Sequence, residues 1–456
     1  MPALAIPKAR GGLPWIGHML EYGRNPYRFV ARVAAEHGEI ASFVLLGQRI
    51  VLLTGDRASA LFYRSSDEEL DQSAAYKVMT PIFGKGLLYD APQDRKAQQL
   101  AMLVPPLRGE AMRAYAPRIV HEVEGMTRDW GDAGRFDVVD FMKTLTINTA
   151  THCLLGPEIR EELNDEFTRT YHDLEQGVSP LAYYFPNLPL PRFRRRDAAR
   201  ARVQSLVAEV IRRRQEQPAA HDDLLQTLID ATYADGSRLS EQEIAGILIG
   251  ATFAGHHTSS GTAAWLLIEL LRHPELLAQV RAEVDRIGDP TYESVRDMPA
   301  TDAALKEVLR LHPPVIILMR KVMADLHLGD HVIRKGDMVW ASPPVTHRLP
   351  ELFADPDRFD AGRFAPERRE DRNVMAYQPF GGGAHRCLGS GFATFQIKVI
   401  TAVLLGGFDF SLVADPGAYE DDYTQMIVQP RTPSAVAYRA RRPAVTRPAT
   451  APPARR

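Results

Sequence analysis

The segment Pro379-Phe380-Gly381-Gly382-Gly383-Ala384-His385-Arg386-Cys387-Leu388-Gly389 places one cysteine at the end of a glycine-rich turn. Three consecutive glycines let the backbone turn tightly and approach a flat ligand with no Cβ in the way. An apolar helical pattern begins at once, with Phe392, Phe395, Ile397 and Val399. A cysteine at a helix start faces free N–H groups and the positive end of the dipole, which favour thiolate over thiol. Beside basic His385 and Arg386, such a thiolate suits an iron ligand. The competing reading is a glycine-rich loop with an incidental buried cysteine, since free cysteine is among the most buried residue types.

Two other constellations bear on that chemistry. Asp302 to Leu311 reads as a helix on which Glu307 and Arg310 form an i,i+3 pair. Alone, such a pair is an ordinary surface salt bridge of little worth. Phe359-Asp360-Ala361-Gly362-Arg363-Phe364 supplies a second arginine further on. The other constellation lies in the longest apolar stretch. It opens on a capping box at Ser240-Glu241-Gln242-Glu243 and stops at His273-Pro274. Gly246, Ile247, Leu248, Ile249, Ala251 and Phe253 leave almost no polar face, so the helix is expected to be buried all round. A membrane span is excluded by His256, His257, Thr258, Ser259 and Ser260, which would sit near the bilayer centre. A buried helix with that polar patch reads as a cavity wall. Within Ala254-Gly255-His256-His257-Thr258, the threonine can bond back to the carbonyl of Ala254 and open the helix locally.

Taken together, the Phe380-to-Gly389 spacing, the Glu307–Arg310–Arg363 charges and the Ala254-to-Thr258 motif resemble the cytochrome P-450 superfamily of haem-thiolate monooxygenases. The resemblance implies a mainly α fold with a minor β part, haem b as cofactor, and Cys387 as the axial ligand of its iron. It makes Glu307, Arg310 and Arg363 a structural triad behind the haem, although the family usually has proline at Ala361. The residue before the threonine is usually acidic in the superfamily; His257 instead resembles one branch, the sterol 14α-demethylases. Tyr76-Lys77-Val78-Met79-Thr80-Pro81-Ile82-Phe83-Gly84-Lys85-Gly86-Leu87-Leu88-Tyr89-Asp90 resembles a second signature of that branch and departs from it at Val78 and Leu87. The likeness runs from about Gly23 to Tyr438 and includes Leu311 to Arg320.

The branch assigns further roles. Tyr76, Lys96, Arg320 and His385, supported by Gln72, become partners of the haem propionates. Tyr76, Val78, Met79, Phe83, Tyr89, Phe253, Ala254, Ile317, Leu318 and Met426 become the apolar wall for a rigid polycyclic substrate, ordinary core being the competing reading. Thr258 and His257 become the catalytic pair that delivers protons. The implied activity is oxidative removal of the 14α-methyl group of a sterol precursor of lanosterol or obtusifoliol type. In the branch, phenylalanine at the position of Val78 goes with C4-monomethyl sterols and leucine with C4-dimethyl ones. Electrons are expected from NAD(P)H through a ferredoxin-type partner and its reductase, docking near Arg386 and Lys398. Other readings stay open here: a hydroxylase of another steroid or triterpenoid, a haem-thiolate isomerase or dehydratase, and a haem sensor.

The whole chain sets the bounds. Its 456 residues are 45% hydrophobic and 25% charged, with a formal net charge of -2, an ordinary globular composition that gives no reason to propose nucleic acid as a partner. The only cysteines are Cys153 and Cys387, so there is no disulfide framework and a reducing cytoplasm fits; Cys153 reads as core filling. Met1 to Lys8 is too short and too broken by proline for a signal peptide or a membrane anchor. One domain is expected over 1–440, working as a monomer, with a disordered Ala/Pro/Arg-rich tail over 441–456.

Helices are expected at Pro26–His37, Arg57–Arg64, Asp94–Leu103, Gly109–Trp130, Val138–Leu155 and Glu158–Glu175. A proline-rich break over 180–191 then precedes a basic helix, Arg192–Arg214, whose charges read as a solvated face. Strands are expected at Ile40–Leu46 and Arg49–Leu53 about a Gly47-Gln48 turn, and at Val322–Leu328, His331–Ile333 and Met338–Ser342. Tyr76 to Asp90 shows no clean period and reads as a structured loop.

Overall fold

The computed structural model describes residues 4–177, 182, 185–217 and 221–441, so the expected tail beyond Arg441 and part of the proline-rich break lie outside the described residues. Helices dominate, and the long helix Glu241–Arg272 is the axis around which they pack. Its capping box forms as the sequence requires: Ser240 Oγ accepts from the Glu243 N–H at 3.2 Å, and the Glu243 carboxylate accepts from the Ser240 N–H at 2.8 Å. Pro274 begins the next helix rather than extending this one. The Val138–Ala150, Pro191–Glu216, Pro299–Leu311 and Ser390–Gly407 helices surround it and close the largest apolar cluster.

Two glycines on the axis decide what lies over it. A Cβ on Gly246 would stand 2.2 Å from the Phe83 carbonyl oxygen, and one on Gly250 would stand 2.5 Å from Leu88. Residues 76–90 therefore rest directly on the central helix. That segment is not a plain loop but a run of short turns, Lys77–Met79, Thr80–Phe83 and Leu88–Asp90.

The β part begins with β1 (Ile40–Leu45) and β2 (Gln48–Leu53), joined at Leu46-Gly47, one residue earlier than expected. Both turn residues have positive φ, 46° and 79°, the combination that matches the twist of a two-residue hairpin. With β3 (Leu70–Asp71), β5 (Leu318–Val322) and β8 (Met338–Ala341) they form a sheet in the order β1-β2-β8-β5-β3, where β2 and β8 run parallel. Side chains alternate between its faces. Ile50, Leu52 and Trp340 pack with Phe29 and Val33, while Val51, Leu53 and Val339 pack with Ala58 and Phe62.

The expected strand Val322–Leu328 is two strands, because β6 (Leu326–Leu328) leaves the sheet and pairs only with β7 (His331–Ile333). Asp325 causes the break: its carboxylate accepts from the Lys335 N–H and pairs with Arg334. A third sheet, β4 (Ala133–Asp137), β10 (Ala435–Ala440) and β9 (Phe408–Leu412), carries no alternating pattern strong enough to have been anticipated.

The helix from Val138 ends its α geometry at Ala150 and passes into a π turn, Thr151–Leu155, where the Thr151 hydroxyl competes for the Ile147 and Asn148 carbonyls. A second π turn, Glu158–Glu162, likewise precedes the helix Asn164–Glu175. On Pro191–Glu216 the solvated-face reading fails at two arginines. Arg196 donates to the Pro186 carbonyl at 2.9 Å, and Arg214 lies buried between Glu158 and Asp223, at 2.8 Å from each. Among the described residues, Ser390–Gly407 is the one helix long and apolar enough to cross a membrane, and it is mostly buried inside the protein.

The C-terminal segment that carries Met426 is latched onto the axis. His312 Nδ1 lies 3.0 Å from Asp421, its Nε2 lies 3.4 Å from Glu269 on the central helix, and its ring stacks on Trp265. Burial pushes this imidazole down, but the Asp421 and Glu269 carboxylates outweigh it and hold its pKa above the ordinary value. The Val428 N–H also donates to the Pro314 carbonyl at 2.8 Å.

Candidate active site

The cysteine loop is held from both sides. The Cys387 N–H donates to the Phe380 carbonyl at 2.9 Å. At Gly383, φ is 64° and a Cβ would stand 1.8 Å from the Tyr63 carbonyl oxygen, so only glycine lets the loop close against the helix Asp56–Arg64. Cys387 itself is exposed, although the protein surrounds it on most sides. Burial pushes its thiol above the ordinary value, against the pull of the Gly389 and Ser390 N–H groups and of Arg386. The helix start alone therefore does not secure a thiolate, contrary to the expectation from sequence. A coordinated metal cation would deprotonate the thiol outright.

Behind the loop, Glu307, Arg310 and Arg363 come together with almost no exposure. Arg310 donates through Nε and Nη2 to the two Glu307 oxygens at 2.8 Å each, and Arg363 Nε reaches Oε1 at 3.2 Å. The Asp360 N–H adds a fourth donor at 2.8 Å. Ala361 does not slacken the turn, because the Asp360 carboxylate caps the Gly362 N–H and pairs with Arg368. His347, which the sequence reading passed over, couples this triad to the loop. Its carbonyl accepts from Arg310 at 2.9 Å, and its Nε2 accepts from the Gln378 N–H at 3.0 Å, just before the glycines. Burial and the nearby Arg310 push its pKa down to about 3, which keeps the ring neutral and Nε2 free to accept.

Lys96, Arg320 and His385 converge on Asp67, a residue with no motif around it. Lys96 Nζ lies 3.7 Å and Arg320 Nη1 3.9 Å from its oxygens, and His385 Nε2 pairs with it directly. Gln72 accepts from Lys96 at 3.4 Å, and the Tyr76 hydroxyl accepts from the Met319 N–H at 3.3 Å. Burial pushes the pKa values of Lys96 and Arg320 below their ordinary values, Asp67 offsetting this only in part. The nest thus holds buried positive charge in excess of its own carboxylate.

On the central helix, Ala254 is exposed although most of its neighbours toward both ends of the helix are buried, so it meets open space inside the protein. The Thr258 hydroxyl donates to the Ala254 carbonyl at 2.7 Å, the back-bond that the spacing implies. His257 Nε2 lies 2.8 Å from the carboxylate of Glu175, at the end of the helix Asn164–Glu175. His256 beside it is buried, its Nδ1 3.1 Å from the Thr146 hydroxyl.

Of the expected wall residues, Tyr76, Tyr89, Phe83 and Phe253 come into direct contact. Tyr76 stacks on Tyr89, with ring centres 5.0 Å apart, and Phe83 meets both Tyr89 and Phe253 within about 6 Å. Burial holds the Tyr89 hydroxyl protonated, against the pull of Arg320. Leu318 lies against Gly381, Met79 is buried, and Val78 is half-buried against the main core. Ile317 packs at the edge of the sheet, and Met426 is 52% exposed. Lys398 is not available for docking: it is buried and paired with Asp302 at 2.9 Å. The exposed cations near Cys387 are Arg386 and Arg108. The latter precedes the helix Gly109–Thr127, whose start packs against Gly391.

These residues fit a haem on independent counts: an exposed thiol on a glycine turn, three basic side chains gathered about Asp67, and an exposed Ala254 on the otherwise buried central helix. A family model described as "Cytochrome P450" matches residues 7–437. A sterol 14alpha-demethylase of Mycobacterium tuberculosis is 43% identical over 450 residues, which are 97% of this chain and 99% of that one. An obtusifoliol 14-alpha demethylase of Sorghum bicolor is 35% identical over 449 residues, 96% of this chain and 91% of the other. Among solved structures, a cytochrome P450DA heme domain superposes with a TM-score of 0.85 at 26% identity and covers 97% of this chain and 99% of its own.

Proposed function

The chain belongs to the cytochrome P450 family and is a haem-dependent monooxygenase; from that premise we propose that it removes the 14α-methyl group of a sterol precursor. The observation that carries this reading is the seating of residues 76–90 on the central helix beside His257 and Thr258, with Phe83 against Phe253. The names of the relatives above support it. The overall change is oxidation of one methyl group through alcohol and aldehyde, loss of formate and formation of a ring double bond, with dioxygen as oxidant and NAD(P)H as electron source.

Haem, when bound, supplies the oxidising chemistry. In this reading Cys387 would ligate its iron, Tyr76, Lys96, Arg320 and His385 would hold its carboxylates with Gln72 in support, and the Glu307–Arg310–Arg363 triad braces the loop through His347. Charge-assisted donors in a dry nest are the strong form of that contact. Thr258 presents a hydroxyl at the groove, and His257 with Glu175 passes protons toward it; a histidine exchanges protons near neutral pH. The tyrosine and phenylalanine wall excludes water and orients the sterol rings. A ferredoxin-type partner docks over Arg386 and Arg108 rather than Lys398. The enzyme works as a monomer of one domain over 1–440, in the cytoplasm.

Val78 gives the substrate reading its test. Valine is smaller than the phenylalanine or leucine of the branch, and one methyl group in an apolar pocket is worth roughly 1–3 kcal/mol. C4-dimethyl lanosterol is therefore expected to turn over at least as well as C4-monomethyl obtusifoliol, and Val78→Phe to reverse the order by about tenfold or more. Competing turnover of the two sterols measures it. A preference for obtusifoliol unchanged by Val78→Phe would show that Val78 does not face C4 or that the substrate is of another class.

A further inference from the structure

His256 and His257 are neighbours on the central helix, yet their ring centres lie 4.3 Å apart, and Glu175 comes in from the end of a different helix. One donor atom from each of the three residues lies within 4.8 Å of the other two. Two details distinguish this group from an ordinary ion pair. Glu175 Oε1 stands 2.8 Å from His257 Nε2 without the alignment of donor and acceptor that a hydrogen bond needs, and the buried Tyr171 hydroxyl lies beside the same carboxylate. The other detail is the tautomer of His256. With the proton of the Thr146 hydroxyl on the Lys143 or His256 carbonyl, 3.2 and 3.3 Å away, its oxygen accepts from Nδ1–H of His256. Nε2 of His256 then carries the lone pair, and Thr146 plays the part of the outer partner that orients a metal-ligating histidine.

We propose that Glu175, His256 and His257 form a zinc site, and that zinc held there blocks proton delivery to Thr258. Two imidazole nitrogens and one carboxylate oxygen are a zinc ligand set, with a water completing the tetrahedron. Bonds of about 2.0–2.2 Å set neighbouring ligands roughly 3.3 Å apart, so the Glu175–His257 pair opens slightly from 2.8 Å, and the His256 donor starts within 4.8 Å of both. The His257 side chain, 25% exposed, has room to make it. The other grouping of this kind, Glu158, His221 and Asp223, is spoiled as a site because Arg214 already occupies both carboxylates at 2.8 Å. Binding stands on this geometry alone; the block also rests on the proton role proposed for His257.

The test is dialysis of the haem-loaded full chain against zinc chloride, with metal content read by mass spectrometry and turnover followed in parallel. Wild type is expected to retain one zinc per chain and to slow as zinc is added. Glu175→Gln and His256→Asn should weaken retention at least about tenfold, whereas His221→Asn should not change it. His256→Asn, which keeps the His257–Glu175 pair, should also become insensitive to zinc. No retained zinc, or equal retention by Glu175→Gln, would overturn the site while leaving the proton role standing. Zinc retained by these residues with turnover unchanged would overturn the block and, with it, the proton role of His257.

Discussion

Cys387→Ala is expected to abolish the strongly red-shifted Soret band that reduced, thiolate-ligated haem shows with carbon monoxide, and with it all monooxygenase turnover. Cys387 is the one exposed cysteine of the chain, on the loop whose glycine closes against Tyr63. Cys153 makes the control. It is fully buried in the main core, and burial pushes its thiol far up, so it is inert packing. Cys153→Ala should leave the band intact and cost stability only on the scale of a small cavity, about 1 kcal/mol. A red-shifted band retained in Cys387→Ala would remove the axial-ligand assignment and every role built upon it.

Thr258→Ala should bind sterol as wild type does and yet lower product formation by about a hundredfold, the lower range for a lost proton donor. Reducing equivalents should still be consumed and should appear as hydrogen peroxide. The hydroxyl of Thr258 bonds the Ala254 carbonyl at 2.7 Å, and its loss removes both the donor and that competitor for a backbone carbonyl. Thr258→Ser, which keeps the hydroxyl, is the variant that separates the two effects: it should restore most of the coupling. Peroxide formed per NAD(P)H oxidised is the quantity to measure. Wild-type coupling in Thr258→Ala would place proton delivery elsewhere.

What the sequence disclosed and what it concealed differ by the range of the interactions involved. The capping box at Ser240, the stop at Pro274, the Thr258 back-bond and the Glu307–Arg310 pair are all contacts within four residues, and each forms as its spacing implies. Arg363 was legible only through the family resemblance, since nothing local ties it to Glu307. Asp67, Glu175 and His347 were invisible, because each acquires its chemistry from partners far away in the chain. Lys398 and Arg214 show the converse error: a charge on a helix reads as solvated until the packing of another helix buries it against a carboxylate. The π turn at Thr151 and the break at Asp325 were missed for a similar reason, since side chains that compete for backbone groups override the apolar period. The short strands β4, β9 and β10 are fixed by pairing across the chain, not by their own pattern.

The most direct test of the account is turnover of lanosterol carrying an isotopic label in its 14α-methyl group, with reductase, a ferredoxin-type donor, NAD(P)H and dioxygen. The account predicts labelled formate in equal amount to a 14-demethylated sterol that has gained a ring double bond. Label retained in an alcohol at another ring carbon, with no formate released, would contradict it.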